Sequence, residues 1–262
     1  MRRQVRRVSI AARMVRAAGG LWCTRPARIA FPGGVVSFTF DDFPRSAWVE
    51  GGAVLKRHGA RGTYYAAMGL AGGDSPPGPM FEAEDLRAAL AGGHEIACHT
   101  FSHRDCCRAA PGEIADEIER NAAALSPIVG AAGLVDFAYP FGGVSQTAKR
   151  ALAGRFASCR GTGRGINAGT VDLCDLRSTS LYANGFDPDA LRKMIDDTRI
   201  VGGWTIFYTH DVCSEPSAFG CTPQQLAEVV GYAAAVATVL PVREALARLG
   251  CVPAPAPQPR AA

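Results

Sequence analysis

Short apolar runs alternate along this chain with longer stretches in which Ala and Leu recur at helical spacing. Six runs rich in β-branched and aromatic residues read as strands: VVSFTF (35–40), GTYYAA (62–67), HEIACH (94–99), DFAYP (136–140), ASCRGT (157–162) and GWTIFYTH (203–210). Segments near 46–58, 83–91, 112–125, 145–154, 188–200 and 223–248 carry the helical period, and Ser145, Asp187 and Thr222 stand where helix N-caps are expected. This alternation predicts an α/β fold with parallel strands, either a barrel or a doubly wound sheet. No repeat or linker divides residues 30–250. One domain is therefore expected over 31–250, between a basic extension (1–30) and a disordered Pro/Ala tail (251–262).

The strand assignment has a chemical consequence. In a parallel barrel, polar residues just past the C-terminal strand ends converge on one face, where catalytic groups sit. Asp41–Asp42, His99 and His210 each stand at such an end. His99 and His103 form HTFSH, and a four-residue spacing would place both imidazoles on one face of a helical turn. With a carboxylate from a neighbouring strand end they make a His₂–carboxylate set, which on zinc leaves an open position of the hydrolytic kind. One Asp of the pair would bind the metal, and the other would take a proton from the attacking water. Taken alone, a doubled Asp reads rather as an Asx turn opening the next loop. His210 suits the acid that protonates a departing nitrogen, and Asp211 beside it is expected to point away.

Several other motifs fail. HEIAC (94–98) starts like the zincin motif but has Cys98 where the second His should be, so His94 is expected to face solvent or cap its strand. GTGRG (161–165) is not a dinucleotide-binding loop, and the chain has no GxSxG and no P-loop.

Charge narrows the partners. The formal net charge of +4 becomes −2 once the six arginines among residues 1–20 are set aside, so no global basic field draws nucleic acid to the domain. Those residues read as a solvated basic tail, although Val5, Val8, Ala12 and Val15 could form one face of a membrane-surface helix. They lack the apolar core of a secretory signal, and no apolar run approaches a membrane span. The nine cysteines form no CxxC pair and are expected as free thiols, most of them small buried hydrophobes, in the cytoplasm.

In order, TFDD, GHEIACHTFSH, FAYPFG and FYTHD resemble the polysaccharide deacetylase superfamily, the NodB-homology domains of carbohydrate esterase family 4, over residues 33 to 250. The resemblance implies a distorted, TIM-like (β/α) barrel with mostly parallel strands and metal-dependent removal of acetyl from an N-acetylated sugar. It implies Asp41 as catalytic base, Asp42, His99 and His103 as ligands of Zn²⁺ (or Co²⁺ or another divalent ion), and His210 as general acid. The N–H of Phe141, just after Pro140, would help hold the oxyanion.

Two departures stand out. The family's Arg, two residues before the motif Pro and ion-paired to the catalytic Asp, is here Ala138. The usual Asp-bearing motif before the last His is also missing, with Asp172, Asp175 and Asp187 as candidates. The expected substrate is a carbohydrate or a small acylated compound. Rival readings are a hydrolase of a cyclic imide or ureide on the same scaffold, a non-catalytic metal-retaining glycan binder, and a nucleic-acid or membrane-surface protein using the N-terminal arginines.

Overall fold

The computed structural model describes residues 22–130 and 133–252, so the arginine-rich residues 1–20 and all but the first two residues of the Pro/Ala tail lie outside the described residues. The strands are β1 (Pro26–Ile29), β2 (Val35–Phe40), β3 (Thr63–Ala66), β4 (Asp74–Ser75), β5 (Gly78–Pro79), β6 (Glu95–Cys98), β7 (Asp136–Ala138), β8 (Ser158–Arg160), β9 (Gly169–Asp172), β10 (Thr179–Ser180), β11 (Trp204–Thr209) and β12 (Thr238–Val239). The α-helices are α1 (Ala53–Arg57), α2 (Ala83–Ala91), α3 (Pro111–Val129), α4 (Gln146–Leu152), α5 (Pro188–Val201), α6 (Pro223–Val236) and α7 (Val242–Arg248), and a π-helical stretch, Ala47–Gly52, leads into α1.

The main sheet runs β10-β11-β2-β3-β6-β7-β8, all parallel, with β12 also paired to β2. It curls into the distorted (β/α) barrel that the sequence resemblance implied, left open between β8 and β10. There Leu176 bridges to Arg160, and Ser178 N–H donates to the Gly163 carbonyl at 3.1 Å. β1 pairs antiparallel with β9, and β4 with β5.

β2 is buried at every position, as expected of a central parallel strand covered on both faces. Its side chains Val36, Phe38 and Phe40 share a core with Leu226, Val229, Val230 and Ala233 of α6 and with Val54 and Leu55 of α1. A second core packs Ile114 and Ile118 of α3 and Leu152 of α4 against Phe137 and Cys159. Asp187 and Thr222 cap α5 and α6 as expected, accepting from Ala190 and Gln225 N–H, and Ser145 caps α4.

The single helical segment expected near 223–248 is two helices. The chain leaves α6 at Ala237, adds β12 to the sheet beside β2, and re-enters a helix after Pro241. Pro241 has no N–H to continue α6, and its fixed φ suits the residue that opens α7.

His94 is a second correction, because it is buried rather than solvent-facing. Its Nδ1 accepts the Gly62 N–H at 3.1 Å, and its ring meets Trp48 and Tyr64 edge-on at 5.3 and 5.6 Å. Burial, reinforced by the nearby Arg61 charge, pushes the imidazole down to about 4 from its ordinary 6.5. Between those two pH values the unfolded chain binds a proton that the folded chain refuses, so stability falls as pH falls through that window. That shift corresponds to about 3 kcal/mol. In urea titrations from pH 7 to pH 4, wild type should lose about that much more stability than His94→Gln. Parallel pH profiles for the two proteins would contradict this account of His94.

Candidate active site

Register places the groups. β2 and β11 are aligned so that Phe40 pairs with Thr209, which brings the residues that follow, Asp41 and His210, out of the sheet side by side. β3 and β6 end together at Ala66 and Cys98, so His99 emerges at the same rim. The Asp41 N–H donates to the Thr209 carbonyl at 2.9 Å, which carries the pairing one step past the strand end.

The backbone then turns sharply. Asp42 and Phe43 both have left-handed φ, +59° and +63°. Two such residues cost about 2–4 kcal/mol. The ring of Phe43 offsets this, being wholly buried against Tyr64 and Phe81 at 4.6 and 5.0 Å, a burial worth about 1.5–3 kcal/mol. The two sums nearly cancel, so the turn gains little for the fold itself. What it does is swing Asp42 over the barrel mouth. The other described non-glycine residues with positive φ are Thr100, His103 and Phe141, and all belong to this same site. Strain gathered in one place is the mark of a functional site.

His99 and His103 do not share a helical turn as expected. HTFSH is a loop, with φ of +60° at Thr100 and +55° at His103, and it is held by α3. Glu117 accepts from Phe101 N–H (3.0 Å), Ser102 N–H (2.7 Å) and Ser102 O–H (2.9 Å), while Thr100 Oγ1 accepts from Arg104 N–H at 2.9 Å. These bonds fold the loop back so that both imidazoles reach one carboxylate.

Asp42 Oδ1 lies 3.3 Å from His99 Nε2 and 3.1 Å from His103 Nε2, and the three ligand atoms fall within 4.8 Å of one another. The His99 Nδ1 contacts the Ala138 carbonyl at 2.8 Å, which fixes its proton there and turns the Nε2 lone pair toward Asp42. Burial and the neighbouring His99 lower His103 to about 4, which keeps it neutral near pH 7. Burial works against the Asp42 charge, but His99, His103 and His210 together outweigh it and hold this carboxyl well below the usual range. Yet buried Asp42 Oδ1 has no hydrogen bond of good geometry. A carboxylate oxygen and two imidazole nitrogens within reach of one another are a donor set for a cation, and these atom types suit zinc.

Asp41 is buried, and its Oδ1 accepts from Arg160 Nη2 of β8, the ion partner that Ala138 does not supply. This residue was missed in the sequence, although an Arg inside the buried run ASCRGT was the signal, because such a charge needs a carboxylate near it. His210 Nε2 lies 3.9 Å from Asp42 Oδ2, and its Nδ1 is 3.2 Å from the Phe219 carbonyl, which also accepts the His210 N–H at 3.1 Å. That carbonyl stands where a carboxylate partner was sought. Asp172 and Asp175 instead surround Lys149, at 2.8 and 3.8 Å, and Asp187 is spent on capping α5.

Asp211 turns away from the site as expected. It is buried and accepts from Ser217 N–H and O–H at 2.7 and 2.6 Å, which fastens the loop that presents Phe219. Pro140 opens a tight turn in which Phe141 has φ +59° and Gly142 φ +62°, and Thr162 packs where a Gly142 Cβ would go. Phe141 is 61% exposed with its ring 4.4 Å from His103, and Phe219 is 52% exposed with its ring 5.6 Å from His210. The mouth therefore has an open aromatic face on each side.

The family model for polysaccharide deacetylases matches residues 28–154. That segment, just under half of the chain, is similar to the polysaccharide deacetylases. The match includes Asp41, Asp42, His99, His103 and Phe141, and ends before Arg160 and His210. Among solved structures the chain is similar in fold to a putative polysaccharide deacetylase of Mycobacterium smegmatis (15% identity, TM-score 0.59, covering 92% of this chain and 100% of that one). It is also similar to PdaA of Bacillus subtilis, a family 4 carbohydrate esterase (13%, 0.56, 92% and 90%). A family 4 acetyl xylan esterase of Clostridium thermocellum, solved with a cobalt ion, shares the fold as well (22%, 0.54, 84% and 93%). No curated protein matches the chain. Among the described residues, no helix is long and apolar enough to cross a membrane.

The Glu117 clamp gives a direct test of how the two histidines are positioned. Glu117→Ala should weaken zinc binding about 10–100-fold, measured by competition with a chromophoric chelator, while circular dichroism stays native. Unchanged affinity would mean that the loop holds its shape without α3.

Proposed function

We propose that this protein is a deacetylase that removes N-acetyl groups from an N-acetylhexosamine-containing oligo- or polysaccharide, using a divalent ion held by Asp42, His99 and His103. The convergence of Asp42 Oδ1 with the two imidazole nitrogens, beside Asp41 and His210, carries this reading. When bound, zinc would supply Lewis acidity to the acetyl carbonyl and to the attacking water. Asp41 takes the proton of that water as general base, in a buried setting where the Arg160 guanidinium aims it. The Phe141 N–H, on the exposed turn after Pro140, donates to the oxyanion as charge develops there. His210, its Nδ1–H anchored on the Phe219 carbonyl, delivers a proton from Nε2 to the departing amine. Acetate and the free amino sugar leave. The exposed rings of Phe141 and Phe219 support a sugar substrate, because aromatic faces pack against the C–H faces of pyranose rings. The nine free cysteines support a reducing compartment such as the cytoplasm, and hence a soluble oligosaccharide or acylated intermediate as substrate.

Acetate release from N-acetylated chitooligosaccharides tests the reading. Metal-stripped protein should be silent, zinc should restore turnover, and Asp41→Asn should lower kcat about 10²–10⁴-fold while zinc still binds. Zinc-dependent turnover of a cyclic imide with no acetate from any glycan would move the substrate assignment. An Asp41→Asn variant as active as wild type would remove Asp41 from the mechanism.

A further inference from the structure

We infer that Glu95 and Asp136, two buried acids at the end of the barrel opposite the mouth, share one proton that the folded chain keeps at neutral pH, so that the fold carries an alkaline-labile lock. Register brings the two together. β3 and β6 pair Thr63 with Glu95 and Tyr65 with Ala97, and Cys98 of β6 pairs with Phe137 of β7. One step earlier, Ala97 therefore stands beside Asp136. Alternate residues on a strand share a face, so Glu95 and Asp136 project from the same face as diagonal neighbours on adjacent strands. Tyr65, Ala97 and Ala138 cluster on that face.

The hydrogen bonds leave a donor missing. Both side chains are buried, and Glu95 Oε2 accepts the Thr63 O–H at 2.9 Å and the Arg243 N–H at 2.8 Å. Glu95 Oε1 and both Asp136 oxygens receive no donor of good geometry, although the two carboxyl groups lie within hydrogen-bond reach of each other. Three such oxygens in one buried cluster require an explanation. Charge points the same way. The cations that face the pair are Arg243 of α7, whose Nε is 3.6 Å from Glu95 Oε1, and Arg160 of β8, which is committed to Asp41. The other titratable groups there, Tyr65 and Cys98, are kept neutral by burial. Two carboxylates against Arg243 would bury a negative charge without a counterpart, and proteins avoid that cost by neutralising the group. A proton on Glu95 Oε1, donated to an Asp136 oxygen, answers both needs. Burial and the Asp136 charge push the Glu95 carboxyl well up from its ordinary 4.5, the direction that sharing requires.

The folded chain thus keeps a proton that the unfolded chain gives up above 4.5, and stability falls as pH rises through the folded value. His94 acts with the opposite sign, but only below 6.5. Infrared spectroscopy of the full chain at pH 7 tests the shared proton, because a protonated carboxyl has a C=O stretch that carboxylates lack. Wild type should show such a band. It should vanish in Glu95→Gln, whose amide replaces the donor, and in Asp136→Asn, which leaves Glu95 free to ionise against Arg243. From pH 7 to about pH 8, below the ordinary thiol value of 9.0, the wild-type unfolding constant should rise about tenfold per pH unit more steeply than that of Glu95→Gln, the slope of one retained proton. If Glu95→Gln does not fold, the wild-type spectrum and Asp136→Asn carry the test. A wild type without the band, a band that survives either substitution, or parallel pH profiles would overturn the inference. Neither readout needs turnover, so both stand apart from the deacetylation reading.

Discussion

Everything at the barrel mouth depends on one electrostatic problem, a buried carboxylate oxygen that faces two imidazole nitrogens. Asp42 Oδ1 stands 3.1–3.3 Å from both Nε2 atoms and lacks a hydrogen bond of good geometry. Burial keeps His103 neutral near pH 7, so it offers this carboxylate no counter-charge, which a cation held among the three groups would supply. The backbone strain at Asp42, Thr100 and His103 is spent on building that grouping. No packing requirement calls for it.

The sheet solves the placement. Parallel strands in matched register end at one rim, so residues far apart in sequence reach the same place from short, stiff anchors. Two supports then fix the directions of the reacting groups. Arg160 holds Asp41 from below, and the Phe219 carbonyl holds His210 from the side, with Asp211 fastening the loop behind it. Neither support is the one that the family motifs led one to expect, yet each does the same physical job of restraining a proton-transferring side chain.

Much of this was legible in the sequence. The parallel α/β architecture followed from alternating apolar runs, and 35–40 and 83–91 match the observed strand and helix to the residue. The five polar residues brought together at the rim could be named from motif spacing. What failed was local geometry. The HxxxH spacing implies a helical turn, but a Glu117 clamp from a distant helix imposes left-handed residues instead, and single-segment spacing does not register a tertiary hydrogen bond. His94 looked polar and proved to be a buried acceptor for a backbone N–H. Arg160 escaped because its partner stands 119 residues away, and only strand register shows that it neighbours the vacant motif position. The two-residue β12 was too short to interrupt a helical pattern that continues on either side of it.

The central claim is that Asp42, His99 and His103 form a metal site. Anomalous diffraction from a crystal of the full chain loaded with Zn²⁺, recorded on both sides of the zinc edge, tests it most directly. The account predicts one strong peak bonded to Nε2 of both histidines and to an Asp42 oxygen, at about 2.0–2.2 Å. A peak elsewhere, or none at these residues at saturating zinc, would contradict it.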